Sequence, residues 1–404
     1  MDINLAPRFE SLQAAQQAAD IVRKCVHCGF CTATCPTYQL LGDESDSPRG
    51  RIYLIKQLLE NAAASVNTRG HLDRCLLCRS CETTCPSGVQ YGRLLETGRE
   101  LLEQIQPRPI VNTLRRKAVA RSLVQAPLVN GAVRAAVKGR KWLPENVQKQ
   151  LPEEQADTPW PTPRHPRRML VLTGCVQSSL SPDTNVCAAR LLDTLGISLL
   201  PEKESGCCGA VGLHTSDPEM GLQHARKRID LWWPLIEEGF IEAIVFTASG
   251  CGVTIRDYGH LLESDPLYAD KAHKVSALAR DISEVIAPEI DKLDPNLGHG
   301  REIAFHPPCT LQHGLKLAGV VESILKASGY SLLPVQDSHL CCGSAGTYSL
   351  FQPELSEQLR RNKLQALQAG QPELIATANI GCQQHLKGKA DVPVRHWVEL
   401  LDRQ

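Results

Sequence analysis

Seventeen cysteines occur in a chain of 404 residues, and their spacing points to chemistry more strongly than their number does. Cys25, Cys28, Cys31 and Cys35, followed by Pro36, recur 50 residues later as Cys75, Cys78, Cys81 and Cys85, followed by Pro86. A second pattern begins at Cys175, with Cys207-Cys208-Gly209 32 residues on, and returns as Cys309 with Cys341-Cys342-Gly343, a shift of 134. Thiolates are soft ligands suited to iron and zinc, and adjacent thiols also make redox pairs. No cationic leader with an apolar stretch opens the chain, where Asp2 and Glu10 fall among the first ten residues, and no run of about 18 apolar residues occurs. A cytoplasmic location is therefore expected, and in a reducing compartment clustered cysteines read as metal ligands or redox groups before disulfides.

The spacing C-x2-C-x2-C-x3-C-P is that of the bacterial ferredoxin run, in which three close thiolates hold one cubane and the fourth crosses to the other. Two copies complete two [4Fe-4S] clusters. One takes Cys25, Cys28, Cys31 and Cys85, and the other takes Cys75, Cys78, Cys81 and Cys35. Such short spacers require a tight, curling backbone that also aims amides at sulfur. Structural zinc is the competing reading, but zinc sites close with two C-x-x-C pairs and need no third cysteine two residues on. His27, inside CVHC, reads as a spacer.

The elements that must position these residues follow from what surrounds them. Eight cysteines fall between 25 and 85 and nine between 175 and 382. The later half is a duplication: GISLLP ending at Pro201 matches GYSLLP ending at Pro334, and TASGC ending at Cys251 matches TANIGC ending at Cys382. In the first copy MLVLTGC, an amphipathic stretch to Leu195, ISLLP, a helix from about Asp217 with Pro218 in its first turn, and AIVFTASGC read as β-α-β-α-β. Small parallel α/β units are expected, with cysteines at strand ends and in the loops after them. The fold class is thus a multidomain α+β and α/β chain: a helical two-cluster ferredoxin-like domain over 1–106, a linker over 107–166, and two duplicated α/β domains over 167–297 and 298–404. From Arg108 to Lys141 the linker holds nine Lys or Arg, Arg115, Arg116 and Lys117 among them, and no acid. From Leu151 it becomes Pro-rich, which reads as a solvated connector. Lys plus Arg and Asp plus Glu are 44 each, which gives no overall attraction for nucleic acid.

The Cys-Cys-Gly arrangement is similar to the CCG domain of heterodisulfide reductase subunits, whose longer pattern ends in C-x2-C and binds non-cubane iron-sulfur clusters. Here that end is incomplete, reading Cys251-Gly-Val-Thr254 and Cys382-Gln-Gln-His385. Each copy keeps four candidate ligands: Cys309, Cys341, Cys342 and Cys382 for a further cluster, and Cys175, Cys207, Cys208 and Cys251 for a cluster, a zinc or a vestigial site. His385 is a candidate replacement ligand, with His306 nearby in HPPC, whereas Thr254 is a poor ligand. Cys187 reads as a small buried hydrophobe.

Two ferredoxin motifs followed by two CCG domains, opening CVHCGFCTATCPTYQLLGDESDSPRG and continuing through SHLCCGSAGTYSL, closely resemble the iron-sulfur subunits of bacterial glycolate oxidase (glycolate dehydrogenase). The iron-sulfur subunits of lactate-utilisation systems and of anaerobic glycerol-3-phosphate dehydrogenase are more distant likenesses, and a heterodisulfide-reductase-like catalytic subunit is a further alternative. The resemblance implies an oxidoreductase subunit that passes electrons from the FAD of partner subunits, where glycolate becomes glyoxylate, through two [4Fe-4S] clusters to an acceptor such as membrane quinone. It implies no catalytic residue in this chain, and no G-x-G-x-x-G after a strand, P-loop or nucleophile elbow is present. Peripheral contact with the inner face of the cell membrane is expected through the basic stretch.

Overall fold

The computed structural model describes residues 1–152, 159–215 and 217–402. These divide into two compact units, one formed by Met1–Arg116 with His339–Lys363 and the other by Lys117–Ser338 with Leu364–Gln404.

The first unit is helical. Helices Gln13–Lys24, Pro48–Asn61 and Tyr91–Ile105 repeat apolar residues at helical spacing (Ala15, Ala19 and Val22; Ile52, Ile55 and Leu59; Leu94, Leu101 and Leu102), and these stripes bury against one another. A Cβ on Gly98 would lie 2.7 Å from Ile55, so glycine allows the second and third helices their close approach. Ser47 caps the second helix by accepting from the Gly50 amide at 3.0 Å, with Pro48 in the first turn. Each cysteine run lies where a helix stops. The 25–31 loop follows Gln13–Lys24, and the 75–81 loop follows the short Thr68–Asp73 helix.

The second unit holds two four-stranded parallel sheets. In one, β1 (Arg167–Val171), β2 (Ile197–Pro201), β3 (Ala243–Phe246) and β4 (Ala279–Asp281) run in the order β2-β1-β3-β4, with Met169 registered against both Leu199 and Ala243. In the other, β5 (Glu302–His306), β6 (Ser331–Leu332), β7 (Leu374–Thr377) and β8 (Val394–His396) repeat that order as β6-β5-β7-β8. The central strands β3 and β7 are buried throughout, as sheets covered on both faces require. β4 and β8 escape sequence reading because each is three residues long with an exposed arginine at its centre. Both strands end on a residue that caps the next helix. Asp281 accepts from the Ser283 amide at 2.9 Å, and His396 Nδ1 accepts from the Val398 amide at 3.2 Å. The two repeats join at their matching loops, where Ser249 N donates to Ala378 O at 3.3 Å and Gly250 N to Asn379 Oδ1 at 3.2 Å.

Two expectations about the linker need correction. Of the Pro-rich connector, residues 153–158 lie outside the described residues, but the flanking part is packed rather than solvated. Leu151 is buried, Trp160 Nε1 donates to Leu199 O at 2.8 Å, and the Arg164 and His165 amides donate to Ser198 Oγ at 3.1 and 2.9 Å. β2 is an edge strand whose outer polar groups need partners, and the connector supplies one for the Leu199 carbonyl and two for the Ser198 hydroxyl. The basic stretch is not without acidic partners either. Arg108 makes a bidentate pair with Asp73 at 2.5 and 2.7 Å and lies 3.2 Å from Glu103, while Arg116 lies 3.6 Å from Asp73 with its guanidinium 4.3 Å from the Phe351 ring centroid. Those partners come from distant sequence and leave no local signature.

Candidate metal centres

The two cysteine runs adopt the same backbone. Gly29 and Arg79, four residues after the first cysteine of each run, are left-handed at φ 85° and 59°, and His27 and Leu77, two residues after it, are left-handed at 56° and 54°. A leucine in that region is strained, and strain of this kind persists only where the surroundings impose it. The alternation curls each loop so that amides point inward, an anion-binding nest suited to thiolates and sulfide. Leu77 N accordingly donates to Cys75 Sγ at 3.5 Å. His27 acts as a spacer, with its Nε2 3.3 Å from Arg49 O.

A cleft is lined by Cys25, Cys28, Cys31 and Cys85 together with Cys81. Cys25 is buried, Cys31 and Cys85 are half-buried, and Cys28 is exposed between the exposed side chains of Val26 and Phe30. Burial pushes the Cys31 thiol up to about 11. Cys81 is pushed well above the ordinary thiol value by burial first and then by the neighbouring Cys78, Cys75 and Cys35, the other three members of the second expected set. A bound cation reverses that balance and holds such thiols deprotonated. The residues fit a cluster in one further respect: Ser80 Oγ, beside Cys81, is buried without a protein partner and can donate to a cluster sulfur.

Around the second set lies a polar shell that no motif announces. Arg51, fully buried, donates from Nε to His71 O at 2.7 Å, from both Nη atoms to Thr37 Oγ1 at 3.1 Å, and from Nη2 to Asp46 Oδ1 at 3.1 Å. Thr37 Oγ1 is in turn 3.3 Å from Cys35 Sγ, and Tyr91 Oη donates to Cys75 Sγ at 3.5 Å. Burial opposes the charge on Arg51, but Cys75, Tyr91, Cys35 and Asp46 outweigh it and hold the group protonated. Tyr348, contributed by the 339–363 segment, has a buried hydroxyl without a partner, and its ionisation is suppressed by burial and then by Cys75 and Cys341. The available signal for Arg51 was its place beside Ile52 on an otherwise apolar helix face.

In the first CCG copy the structure brings all four cysteines into one buried or half-buried group. Cys207 is at its centre and is held well below the ordinary thiol value by hydrogen bonds from Cys175 and Cys208 and by the Gly209 and Val211 amides, while Cys175 and Cys208 are raised. Cys208 also hydrogen-bonds Cys251, which sits on helix Ser249–Arg256 rather than in the loop before it. Gly209 must be glycine: its φ is 99°, and a Cβ there would lie 2.6 Å from Gly221 O. Glu202 fixes the neighbouring loops by accepting from the Thr173 amide at 3.0 Å, Trp232 Nε1 at 3.3 Å and Arg228 Nη1 at 2.9 Å. Thr254 turns its hydroxyl to Gly250 O at 3.4 Å in its own helix.

In the second copy Cys309 follows β5 and Cys382 lies on helix Ile380–Lys387, where Asn379 Nδ2 donates to Cys382 Sγ at 3.6 Å. His306 is buried at the end of β5, and half-buried His385 lies one helical turn beyond Cys382. Cys341 and Cys342 belong to the first unit, and there Gly343 N donates to Cys341 Sγ at 3.5 Å, as Gly209 N does to Cys207 Sγ at 3.3 Å. Gly343 has φ 93°, and a Cβ there would lie 2.7 Å from Ser356 O. Cys187 is buried, with its thiol pushed up to about 12 by burial and Asp402.

Comparison with known proteins agrees with these parts. Residues 21–89 match the 4Fe-4S dicluster domain, and residues 169–256 and 303–387 each match the Cysteine-rich domain. The glycolate oxidase iron-sulfur subunit of Escherichia coli K12 is 51% identical over 405 residues, covering 100% of this chain and 99% of that protein. The chain belongs to the family of glycolate oxidase iron-sulfur subunits. A probable glycolate oxidase iron-sulfur subunit of Bacillus subtilis is 29% identical over 90% of the chain and 88% of its own length, whereas lactate utilization protein A of Exiguobacterium matches only 56% of the chain at 24% identity. The protein is thus an iron-sulfur, electron-transferring component of an oxidoreductase.

Proposed function

We propose that this chain takes electrons from FAD-binding partner subunits that oxidise glycolate to glyoxylate and delivers them to a membrane acceptor, quinone. The observation that carries the reading is the pair of ligand loops with left-handed residues at identical positions, in a chain similar along its whole length to a glycolate oxidase iron-sulfur subunit. Cys25, Cys28, Cys31 and Cys85 hold one [4Fe-4S] cluster and Cys75, Cys78, Cys81 and Cys35 the other; the influence of Cys78, Cys75 and Cys35 on Cys81 supports that division. When bound, each cluster supplies a carrier for one electron. Exposed Cys28, flanked by Val26 and Phe30, presents the first set to a redox partner, and Tyr348 stands beside both Cys75 and the Cys341 turn. The CCG sets, Cys175, Cys207, Cys208 and Cys251, and Cys309, Cys341, Cys342 and Cys382 with His385 in reserve, are further ligand sets; the buried thiol group of the first copy supports this.

Along the sequence we divide the chain into a ferredoxin-type segment over 1–106 and two CCG repeats over 167–297 and 298–404, joined by 107–166, although residues 339–363 of the last repeat pack in the first compact unit. Membrane contact falls to the linker helices: Ile110–Val124 exposes Ile110, Val111, Leu114, Arg115 and Arg121, and Ala126–Lys138 exposes Leu128, Arg134 and Lys138. Basic and apolar side chains together suit an anionic leaflet. The test of the electron path is Cys75→Ser in the whole complex. Glycolate should still reduce the flavin while quinone reduction stops and about four irons per chain are lost; full quinone reduction with that cluster gone would refute the path.

A further inference from the structure

The two ferredoxin ligand sets share a backbone but not an environment, and the difference has a consequence for electron flow. Arg51 and Asp46 form a fully buried pair, and the carboxylate also meets Arg74 at 2.9 Å. Arg74 is partly at the surface beside exposed Asp43, so the buried guanidinium that faces Cys35 and Cys75 is that of Arg51. A buried charge is costly unless its donors are used, and Arg51 uses Nε and both Nη atoms. Because Arg51 donates to Thr37 Oγ1, the threonine offers its single proton outward, to Asp46 O at 3.1 Å and to Cys35 Sγ at 3.3 Å. Tyr91 gives the same set a second hydroxyl, on Cys75. On the first set the Arg49 backbone hydrogen-bonds Cys31, but among the described residues no side-chain hydroxyl donates to that set's sulfurs, and the Arg49 guanidinium is partly exposed and paired bidentately with Glu44 at 2.6 and 3.1 Å. There its charge is both neutralised and screened.

Hydrogen bonds to sulfur, local charge and solvent exposure set cluster potentials, and adding an electron makes a cluster more negative. Donors and cations therefore stabilise the reduced state. On the reading that each set holds a [4Fe-4S] cluster, we infer that Arg51, Thr37 and Tyr91 make the cluster on Cys75, Cys78, Cys81 and Cys35 the higher in potential, so that it is the resting place of an electron passed on by the exposed cluster. These are positioning residues, since Arg51 acts on Cys35 through Thr37. The transfer is a one-electron exchange in which the first cluster is oxidised as the second is reduced, and it needs no further reactant.

The test is a redox titration followed by electron paramagnetic resonance on the anaerobically purified complex. Cys25→Ser identifies the second cluster as the signal that survives. Tyr91→Phe should lower the midpoint of that signal alone by about 59 mV, a tenfold loss in the one-electron reduction equilibrium, with eight irons per chain retained when Cys25 is intact. Thr37→Val should move the same signal in the same direction, and it keeps the test open if an Arg51→Met variant fails to fold. An unmoved midpoint in both variants, or a shift confined to the other signal, overturns the inference while leaving the two-cluster reading intact. A wild-type chain without eight irons overturns the reading itself.

Discussion

Leu77 and Arg79 show what a residue type conceals. Gly29 in the first run announces a left-handed turn, but at Arg79 the same conformation rests on a residue that ordinarily avoids it, and only the repeat of cysteine spacing revealed the equivalence. The eight ferredoxin cysteines were legible because cluster ligation constrains spacing along the chain. Arg51, Thr37 and Tyr91 were not, because a hydrogen bond to sulfur constrains position in space and leaves no fixed offset. His396 is another residue whose role emerges only in the fold. It is fully buried, its Nε2 donates to Thr247 O at 2.8 Å, and burial lowers it to about 4. Its folded value lies below the unfolded one of about 6.5, so the unfolded chain takes the proton first. The stability it contributes is present above pH 6.5 and is lost as pH falls toward 4, by about 3 kcal/mol in all. Urea unfolding between pH 7.5 and 5 should show about 2 kcal/mol of that loss in the wild type and a flatter profile in His396→Asn; equal slopes would refute the assignment.

At the scale of elements, the β-α-β-α-β pattern was readable wherever strands were apolar and helices long, as in β1, β3 and the Pro218–Glu237 helix capped by Asp217 at 3.5 Å. It was unreadable in β4 and β8, where three residues carry no period. The linker divides the same way. Helix content follows from local preference, but Arg108 and Arg116 are recruited by Asp73 and Glu103, so their charge belongs to the helical unit's stability and not to a membrane surface. The remaining exposed cations of the stretch are Arg115, Arg121, Arg134, Lys138 and Lys141. Changing Arg121, Arg134 and Lys138 to Glu should shift the complex to the soluble fraction, by about 1 kcal/mol for each lost cation, with dye-coupled glycolate oxidation intact. Sedimentation with anionic vesicles at low and high salt checks this. Unchanged vesicle binding would assign the contact elsewhere.

At the scale of the whole molecule, the duplication explains most of the organisation. Each CCG copy presents its Cys-Cys-Gly turn through a glycine that no side chain could replace, and the two copies join through TASGC and TANIGC. Among the described residues no helix is long and apolar enough to cross a membrane. The central claim is that the chain is an electron carrier built on two cubanes, with the CCG thiols as further ligand sets. The most direct test is metal and acid-labile sulfide analysis of the anaerobically purified chain in its complex. At least eight irons per chain with matching sulfide are expected, and any excess should disappear in Cys208→Ala or Cys342→Ala. A colourless preparation with zinc in place of iron would contradict the account.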